Sequence, residues 1–252
     1  MKPLLRWLGL LLMAVLALQL FFVFRIAAMA VLVPESTSFQ RSEAWRLLSE
    51  KGRLPWRQQW VPYDHISDLL KQAVIASEDD GFSNHDGVDW DALEKAWQKN
   101  ARAQAQLAKA QAGRAVTAAQ AGKKVPVRPP KVVGGSTITQ QLAKNLFLSG
   151  ERILPRKAQE FVLTLVLEAV LGKQRILEIY LNSVEWGEGV FGAEAAAQHY
   201  FRKPASKLTA YEAARLAVML PRPKYFEKLP QSGYLAERAG VIATRLGGAE
   251  LP

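Results

Sequence analysis

The hydrophobic residues of this chain open as one unbroken block. Trp7 to Phe24 is eighteen residues without a charge, and Ile26 to Val33 carries the apolar stretch past Arg25. At ~1.5 Å of rise per residue, about 20 apolar residues in a helix cross a bilayer. Residues 7–33 therefore read as a transmembrane anchor behind a short tail at 1–6. A cleaved signal peptide is the rival reading, but its apolar region is about 7–15 residues long and ends at a small-residue cleavage site. Here the block is longer and runs into Pro34-Glu35-Ser36, so a retained anchor is favoured.

After the anchor the pattern becomes amphipathic. Ser42 to Lys51 reads as a short helix and Arg53 to Pro62 as an irregular segment, together a membrane-proximal stretch at 34–61. Ile66, Leu69, Leu70, Ala73, Val74 and Ala76 recur at helical spacing, with Ser67 as N-cap and Glu78 at the C-terminal end. Trp90 to about Ala121 favours helix by composition, but from Ala101 onward it lacks the large apolar residues to bury a face. Gly122 to Pro130 holds three prolines and reads as extended. Residues 100–133 are thus expected to form an exposed insertion, part helical and part flexible. Further helices are expected at about 137–148, 155–171, 173–182, 190–201, 208–219 and 234–246, the last within a C-terminal helix and tail at 226–252. No stretch alternates with period two for long enough to demand a sheet, so the fold class is mainly α.

Charge changes this picture less than its total suggests. The net charge is +10. Lys2, Arg6 and Arg25 stand in the first 33 residues, and Arg102, Lys109, Arg114, Lys123, Lys124, Arg128 and Lys131 stand in the insertion, with no acid in either segment. Those ten account for the whole excess. The rest of the chain is balanced, which argues against a nucleic-acid partner, since such a protein carries its basic face on the folded body. Lys2 and Arg6 ahead of the span keep the N-terminus cytoplasmic by the positive-inside rule and send everything after Val33 outside. The chain has no cysteine, so neither a disulfide framework nor thiolate chemistry is available.

Four clusters carry candidate chemistry. Glu78-Asp79-Asp80 followed by Phe82, His85 and Gly87 places adjacent acids at a helix end, where they raise one another's pKa as an acid or base requires. A solvated acidic turn, capped by Asp80 and Asp86, is the plainer reading. Gly134-Gly135-Ser136-Thr137 leads into Ile138-Thr139-Gln140-Gln141-Leu142-Ala143-Lys144-Asn145. A glycine loop and hydroxyls before a helix make an anion site, with Thr137, Gln141 and Lys144 on one face; a merely capped helix is the alternative. Arg152, Arg156, Lys157, Glu160 and Glu168 form the third cluster. Arg156 and Glu160 could be a surface ion pair, yet Phe161 to Leu167 is apolar on nearly every side, which predicts a buried helix whose charges need partners. The fourth is Ile176-Leu177-Glu178-Ile179-Tyr180-Leu181-Asn182 with Gly187, Gly189 and Gly192. These glycines follow a helix rather than a strand, so they do not make a dinucleotide fingerprint and are expected to permit a tight turn and close helix packing.

In this order the clusters resemble the five motifs of the peptidoglycan glycosyltransferases, glycosyltransferase family 51, the fifth being Leu208 to Pro223 with Glu212 and Pro221. The resemblance covers about Pro62 to Tyr225, which sets a glycosyltransferase core at 62–225. The single span and short length are similar to the monofunctional members; no Ser-x-x-Lys or Lys-Thr-Gly motif supports a penicillin-binding domain. The insertion at 100–133 is longer than the family pattern. Electrostatic attachment to anionic lipid, about 1 kcal/mol per charge, is one reading of it and a solvated loop the other.

The resemblance implies a lysozyme-like, two-lobed, mainly helical domain in the cell inner membrane, its catalytic part periplasmic. It implies that lipid II is polymerised into β-1,4-linked glycan strands for cell wall biogenesis and cell shape, with release of undecaprenyl pyrophosphate. Carried over to this sequence, Glu78 is the base and Glu160 lies on the donor side. Lys144, Arg152, Arg156 and Lys157 answer the pyrophosphate charge. Ser136, Thr137, Gln140, Gln141 and Asn145 contact sugar or phosphate, and Asp79, Phe82 and His85 support. No fixed cofactor is implied, and no protein metal cage; magnesium or manganese would ride on the pyrophosphate. The implied partners are lipid II, the lipid-linked glycan chain, inner membrane lipids and other cell-wall synthesis or division proteins. A lysozyme-like lytic enzyme and a non-catalytic membrane-tethered scaffold are the competing functions. The first needs no anion-binding constellation, and the second needs no intact Glu78, Glu160 and Lys144.

Overall fold

The computed structural model describes residues 2–121, 135–148 and 154–252. The chain falls into two compact units, Met1–Val88 with Thr137–Pro252, and Asp89–Ser136.

In chain order the first unit opens with α1 (Lys2–Ala28) and α2 (Ser38–Lys51). α1 is long and apolar enough over Pro3–Ala28 to cross a membrane, which fits a single-pass anchor. α2 begins four residues before the hydrophobic pattern predicts, because Thr37 and Gln40 form a capping box: Gln40 N donates to Thr37 Oγ1 at 3.0 Å and Thr37 N to Gln40 Oε1 at 2.9 Å. A two-residue strand, β1 (Arg57–Gln58), then leads to α3 (Asp68–Glu78). Ser67 stands at the cap position as expected, but its hydroxyl makes no capping bond; its carbonyl accepts from Leu70 N and Lys71 N instead.

The second unit is built on α4 (Trp90–Ala121). Asp89 starts it, its carboxylate accepting from Ala92 N at 2.8 Å. The helical half of the expected insertion is therefore present, while Lys123, Lys124, Arg128 and Lys131 lie outside the described residues.

The first unit resumes with α5 (Ile138–Phe147), α6 (Leu154–Val170) and α7 (Lys173–Ser183). A hairpin of β2 (Glu185–Gly187) and β3 (Val190–Phe191) follows, then α8 (Ala193–Phe201), α9 (Ala210–Met219), α10 (Pro223–Glu227) and α11 (Gly233–Arg245). The class is mainly α. A small sheet in the order β1-β3-β2 is the addition, β1 parallel and β2 antiparallel to β3. Its strands are two or three residues long, too short to register as alternation, and β3 takes Val190 and Phe191 from what the pattern assigned to the start of a helix.

The glycines explain the hairpin. Gly189 has φ +73°, and a Cβ there would lie 1.8 Å from Pro55 O; Gly192 has φ +85°, with a Cβ 2.7 Å from Asn182 O. Only glycine permits that handedness and that approach of backbone to backbone. Asn182, fully buried, clamps the opposite segment by donating to Val61 O and accepting from Val61 N, both at 2.9 Å.

The core runs through Leu70, Val74 and Ile75 of α3, Ile138 and Leu142 of α5, Leu163 and Leu167 of α6, Ile176 and Tyr180 of α7, and Leu216 of α9. α6 departs from expectation. Leu163, Thr164 and Leu167 are buried, but Val162 is 42% and Leu165 44% exposed. α5 and α1 cover one side of this apolar helix and leave the other open.

Candidate active site

α3 buries its apolar face against α9 and α11, and its last residue, Glu78, is left half-buried at the helix end. Burial pushes the Glu78 carboxyl above the usual carboxylate range, and the neighbouring Asp79 charge adds to this. A hydrogen bond from Gln141 and the positive charge of Lys144 pull it back. Gln141 Nε2 donates to Glu78 Oε2 at 3.1 Å, while Gln141 Oε1 accepts from Tyr180 Oη at 3.0 Å. That hydroxyl keeps its proton, since burial, with the Glu78 and Asp79 charges behind it, holds Tyr180 well above the ordinary phenol range. The three side chains form a chain from α7 through α5 to α3 that fixes which way the Gln141 amide faces.

Asp79 does not share this work. It is 7% exposed and bridges two donors. Oδ1 takes His85 Nε2 at 2.9 Å, and Oδ2 takes Ile138 N at 2.9 Å, the first amide of α5. Gly87 N donates to His85 Nδ1 at 3.1 Å, so the imidazole proton sits on Nε2 and faces Asp79. Thr137 Oγ1 donates to Gly87 O at 2.6 Å while accepting from Gln140 N at 3.2 Å, and Gln140 Oε1 accepts from Thr137 N at 3.2 Å. The acidic turn is thus sewn to the N-terminus of α5, where a carboxylate is favoured by the helix dipole. Thr137 and Gln140, expected at the substrate, are buried and occupied by this cap. Phe82 is fully buried, its ring under Lys173 Nζ at 4.6 Å.

Along α5, Ile138, Leu142 and Leu146 are buried, Gln141 and Asn145 are half-buried at the flanks of that face, and Lys144 is exposed opposite it. Of the face expected from spacing, Gln141 and Lys144 are accessible, whereas Thr137 is buried in the cap. On α6, Glu160 is 3% exposed and is gripped by Lys157 Nζ and, at 3.5 Å, by Arg156 Nη1. This is a buried carboxylate with two cations, so the surface-pair alternative is set aside. Arg156 Nε is buried with no hydrogen-bond partner among the described residues. Glu168, two turns on, accepts from Thr139 Oγ1 at 2.6 Å and Lys173 Nζ at 2.8 Å, joining α6 to α5 and α7. Gly87 passes close by: a Cβ there would meet Glu168 Cγ at 2.7 Å and Thr164 Cγ2 at 2.8 Å. Ser136 belongs to the second unit, and Gly134 and Arg152 lie outside the described residues.

Sequence reasoning missed the tasks of Tyr180 and Asn182. Both are polar groups on an otherwise apolar helix face, and a buried polar group must find a partner. Among the described residues no group of three or more His, Asp or Glu side chains could hold a metal ion.

Comparison with known proteins gives the family of the chain. A family model described as transglycosylase matches residues 49–113 and 112–247, the two stretches meeting inside α4. A biosynthetic peptidoglycan transglycosylase of Burkholderia thailandensis is 54% identical over 94% of this chain and 83% of its own length. Its counterpart in Burkholderia pseudomallei is 52% identical over the same shares, and that of Paraburkholderia xenovorans 51% over 94% and 88%. With the matched stretches spanning most of the sequence and the relatives above half identity, this chain belongs to the transglycosylase family, whose domain is lysozyme-like.

Proposed function

We propose that this transglycosylase polymerises lipid II into peptidoglycan strands for the cell wall, with Glu78 as the base. The observation that carries the reading is the half-buried Glu78, raised in pKa by its burial and aimed by the Tyr180–Gln141 relay. A carboxylate with a raised pKa is a stronger acceptor for a hydroxyl proton than an ordinary one. In the step, the 4-hydroxyl oxygen of the acceptor sugar bonds to the anomeric carbon of the lipid-linked donor. The bond from that carbon to the pyrophosphate oxygen breaks with inversion, and the hydroxyl proton passes to Glu78.

The leaving pyrophosphate needs cations rather than an acid, because it departs as a stable anion. Lys144, Arg156 and Lys157 are the described candidates, with Arg152, outside the described residues, between Lys144 and Arg156 in sequence. Glu160 holds Arg156 and Lys157 together at the donor side, and Asn145 and Ser136 are further contacts. A divalent cation, where one takes part, would come with the pyrophosphate and help balance its charge. The anchor α1 keeps the enzyme beside its lipid-linked substrates, in the inner membrane with the N-terminus cytoplasmic.

The test is polymerisation of labelled lipid II in detergent by the wild type and Glu78→Gln. Lysozyme-sensitive polymer from the wild type alone supports the reading. Cleavage of mature glycan instead would move it to the lytic alternative, and substrate binding without turnover to a scaffold.

A further inference from the structure

In α1 the residues from Pro3 to Leu18 are exposed on every side. From Gln19 onward one stripe is covered: Gln19, Phe22 and Val23 are half-buried, and Ile26 and Met29 are buried. That is helical spacing, i, i+3, i+4, i+7 and i+10, and it marks a docked face rather than a free tether. Its partners are specific. Phe22 meets Phe147 of α5 edge-on at 5.4 Å. The Arg25 guanidinium lies 5.5 Å from the same ring. Arg175 of α7 donates to Met29 O at 2.8 Å and Leu32 O at 2.9 Å.

The contact nearest the middle of the apolar span is polar. Gln19 Nε2 donates to Gln159 Oε1 at 2.9 Å, and Gln159 Nε2 donates back to Gln19 Oε1 at 3.0 Å. Gln19 sits thirteen residues beyond Arg6, which places it about 20 Å along a hydrocarbon core about 30 Å thick. An amide at that depth has no water to turn to, so a reciprocal pair is the arrangement that satisfies both. Gln159 directly precedes Glu160 and lies two and three residues after Lys157 and Arg156.

We propose that α1 is a positioning element of the enzyme, and that the Gln19–Gln159 amide pair locks it to α6 so as to hold Arg156, Lys157 and Glu160 in place for the lipid-linked donor. This rests on the donor-side role proposed above for those three residues. The lock acts on the height and rotation of α6 and leaves Glu78, on α3, untouched. Its loss therefore weakens donor binding without altering the base.

The absence of cysteine makes the docking directly testable in the full chain. In membranes, Gln19→Cys with Gln159→Cys should cross-link on mild oxidation, and Phe24→Cys with Gln159→Cys, from the exposed side of α1, should not. In lipid II turnover, Gln19→Leu and Gln159→Leu should each raise the donor KM about three- to twentyfold, the range such membrane hydrogen bonds span, with kcat and the acidic limb of the pH profile kept. The double variant should be no worse than the poorer single one, because it leaves no unpaired amide. Failure of the first pair to cross-link, additive losses in the double variant, or a loss in kcat with a moved pH limb would each overturn the proposal. A wild type that makes no polymer strikes the proposed function instead, and the cross-link then decides the docking by itself.

Discussion

Replacing Asp79 by Asn tests whether the acidic turn divides its labour as the geometry says. In the native turn three donors, Ile138 N–H, His85 Nε2–H and Gly87 N–H, meet three acceptors, the two Asp79 oxygens and His85 Nδ1. Asn removes one acceptor and adds an amide donor. If its oxygen faces Ile138, the amide meets His85 Nε2, and relieving that clash by moving the imidazole proton to Nδ1 turns Nδ1 against Gly87 N–H. Either way one buried donor is left over, and a charge-assisted bond at the start of α5 becomes neutral. A bond to a charged group is worth about 1.5–3 kcal/mol and an unsatisfied buried donor costs about 1–3, so the net loss should be about 2–4 kcal/mol. For a protein of this size that lowers the melting temperature by about 5–15 °C. The second signature is opposite in kind. Asp79 helps raise the Glu78 pKa, so its neutralisation lets Glu78 ionise more readily, and the acidic limb of kcat/KM should move to lower pH. Thermal denaturation and a pH–rate profile read the two effects separately. Asp80→Asn is the control: Asp80 is exposed and, among the described residues, paired with Arg245 on the surface, so it should shift stability by less than about 1 kcal/mol. An Asp79→Asn variant that melts with the wild type, or whose acidic limb stays put, would refute the reasoning.

Three further outcomes follow from other parts of the same geometry. Tyr180→Phe removes the hydroxyl that orients Gln141, and turnover should fall about two- to tenfold, corresponding to one hydrogen bond of about 0.5–1.5 kcal/mol, while circular dichroism stays unchanged. Glu78→Gln should be inactive yet more heat-stable at neutral pH. The folded-state pKa of this acid is raised, so its contribution is fully present below the unfolded value and is lost as pH rises through the folded one; the advantage of Gln should shrink as pH drops below that raised pKa. Gly189→Ala must accept positive φ and a Cβ 1.8 Å from Pro55 O, and should cost more than about 3 kcal/mol in denaturation. Gly52→Ala, with positive φ but nothing within 4 Å, should cost about 1–2 kcal/mol.

How much of this was legible in the sequence depends on the distance over which each partner acts. α3 and α5 were visible because their apolar faces repeat at helical spacing, and with them came the placement of Glu78 at a helix end and the polar stripe of Gln141 and Lys144. α2 was shortened by four residues because its start is set by a Thr-x-x-Gln box rather than by hydrophobic period, although the same box at Thr137–Gln140 and a Thr-x-x-Glu version at Thr209–Glu212 show that the signal was in the chain. The three-stranded sheet was invisible because it joins two residues near position 57 to two near 190, a pairing that no local pattern encodes. α6 was misjudged for a different reason. A helix apolar on all sides reads as buried in protein, but Val162 and Leu165 show that its apolarity serves two solvents, the core on one side and open surface on the other.

The same limit applies to the site, and α5 shows why. Thr137 and Gln140 lie within the motif expected to contact substrate, yet both are taken up in joining Asp79, Gly87 and the helix start. Gln141, one position on, is the residue left to reach Glu78. A motif records which residues must be present and not which of them face the ligand. Partition between the two follows from burial: Thr137 and Gln140 are 3% and 7% exposed, whereas Gln141 is half-buried and Lys144 open. Tyr180 and Asn182 make the converse point, since the fourth cluster contains them without assigning either a task, and yet they brace the Gln141 relay to the base and the backbone of Val61. The chemistry proposed for Glu78 therefore depends on three helices meeting at Gln141, with its pKa set by how tightly they close around it.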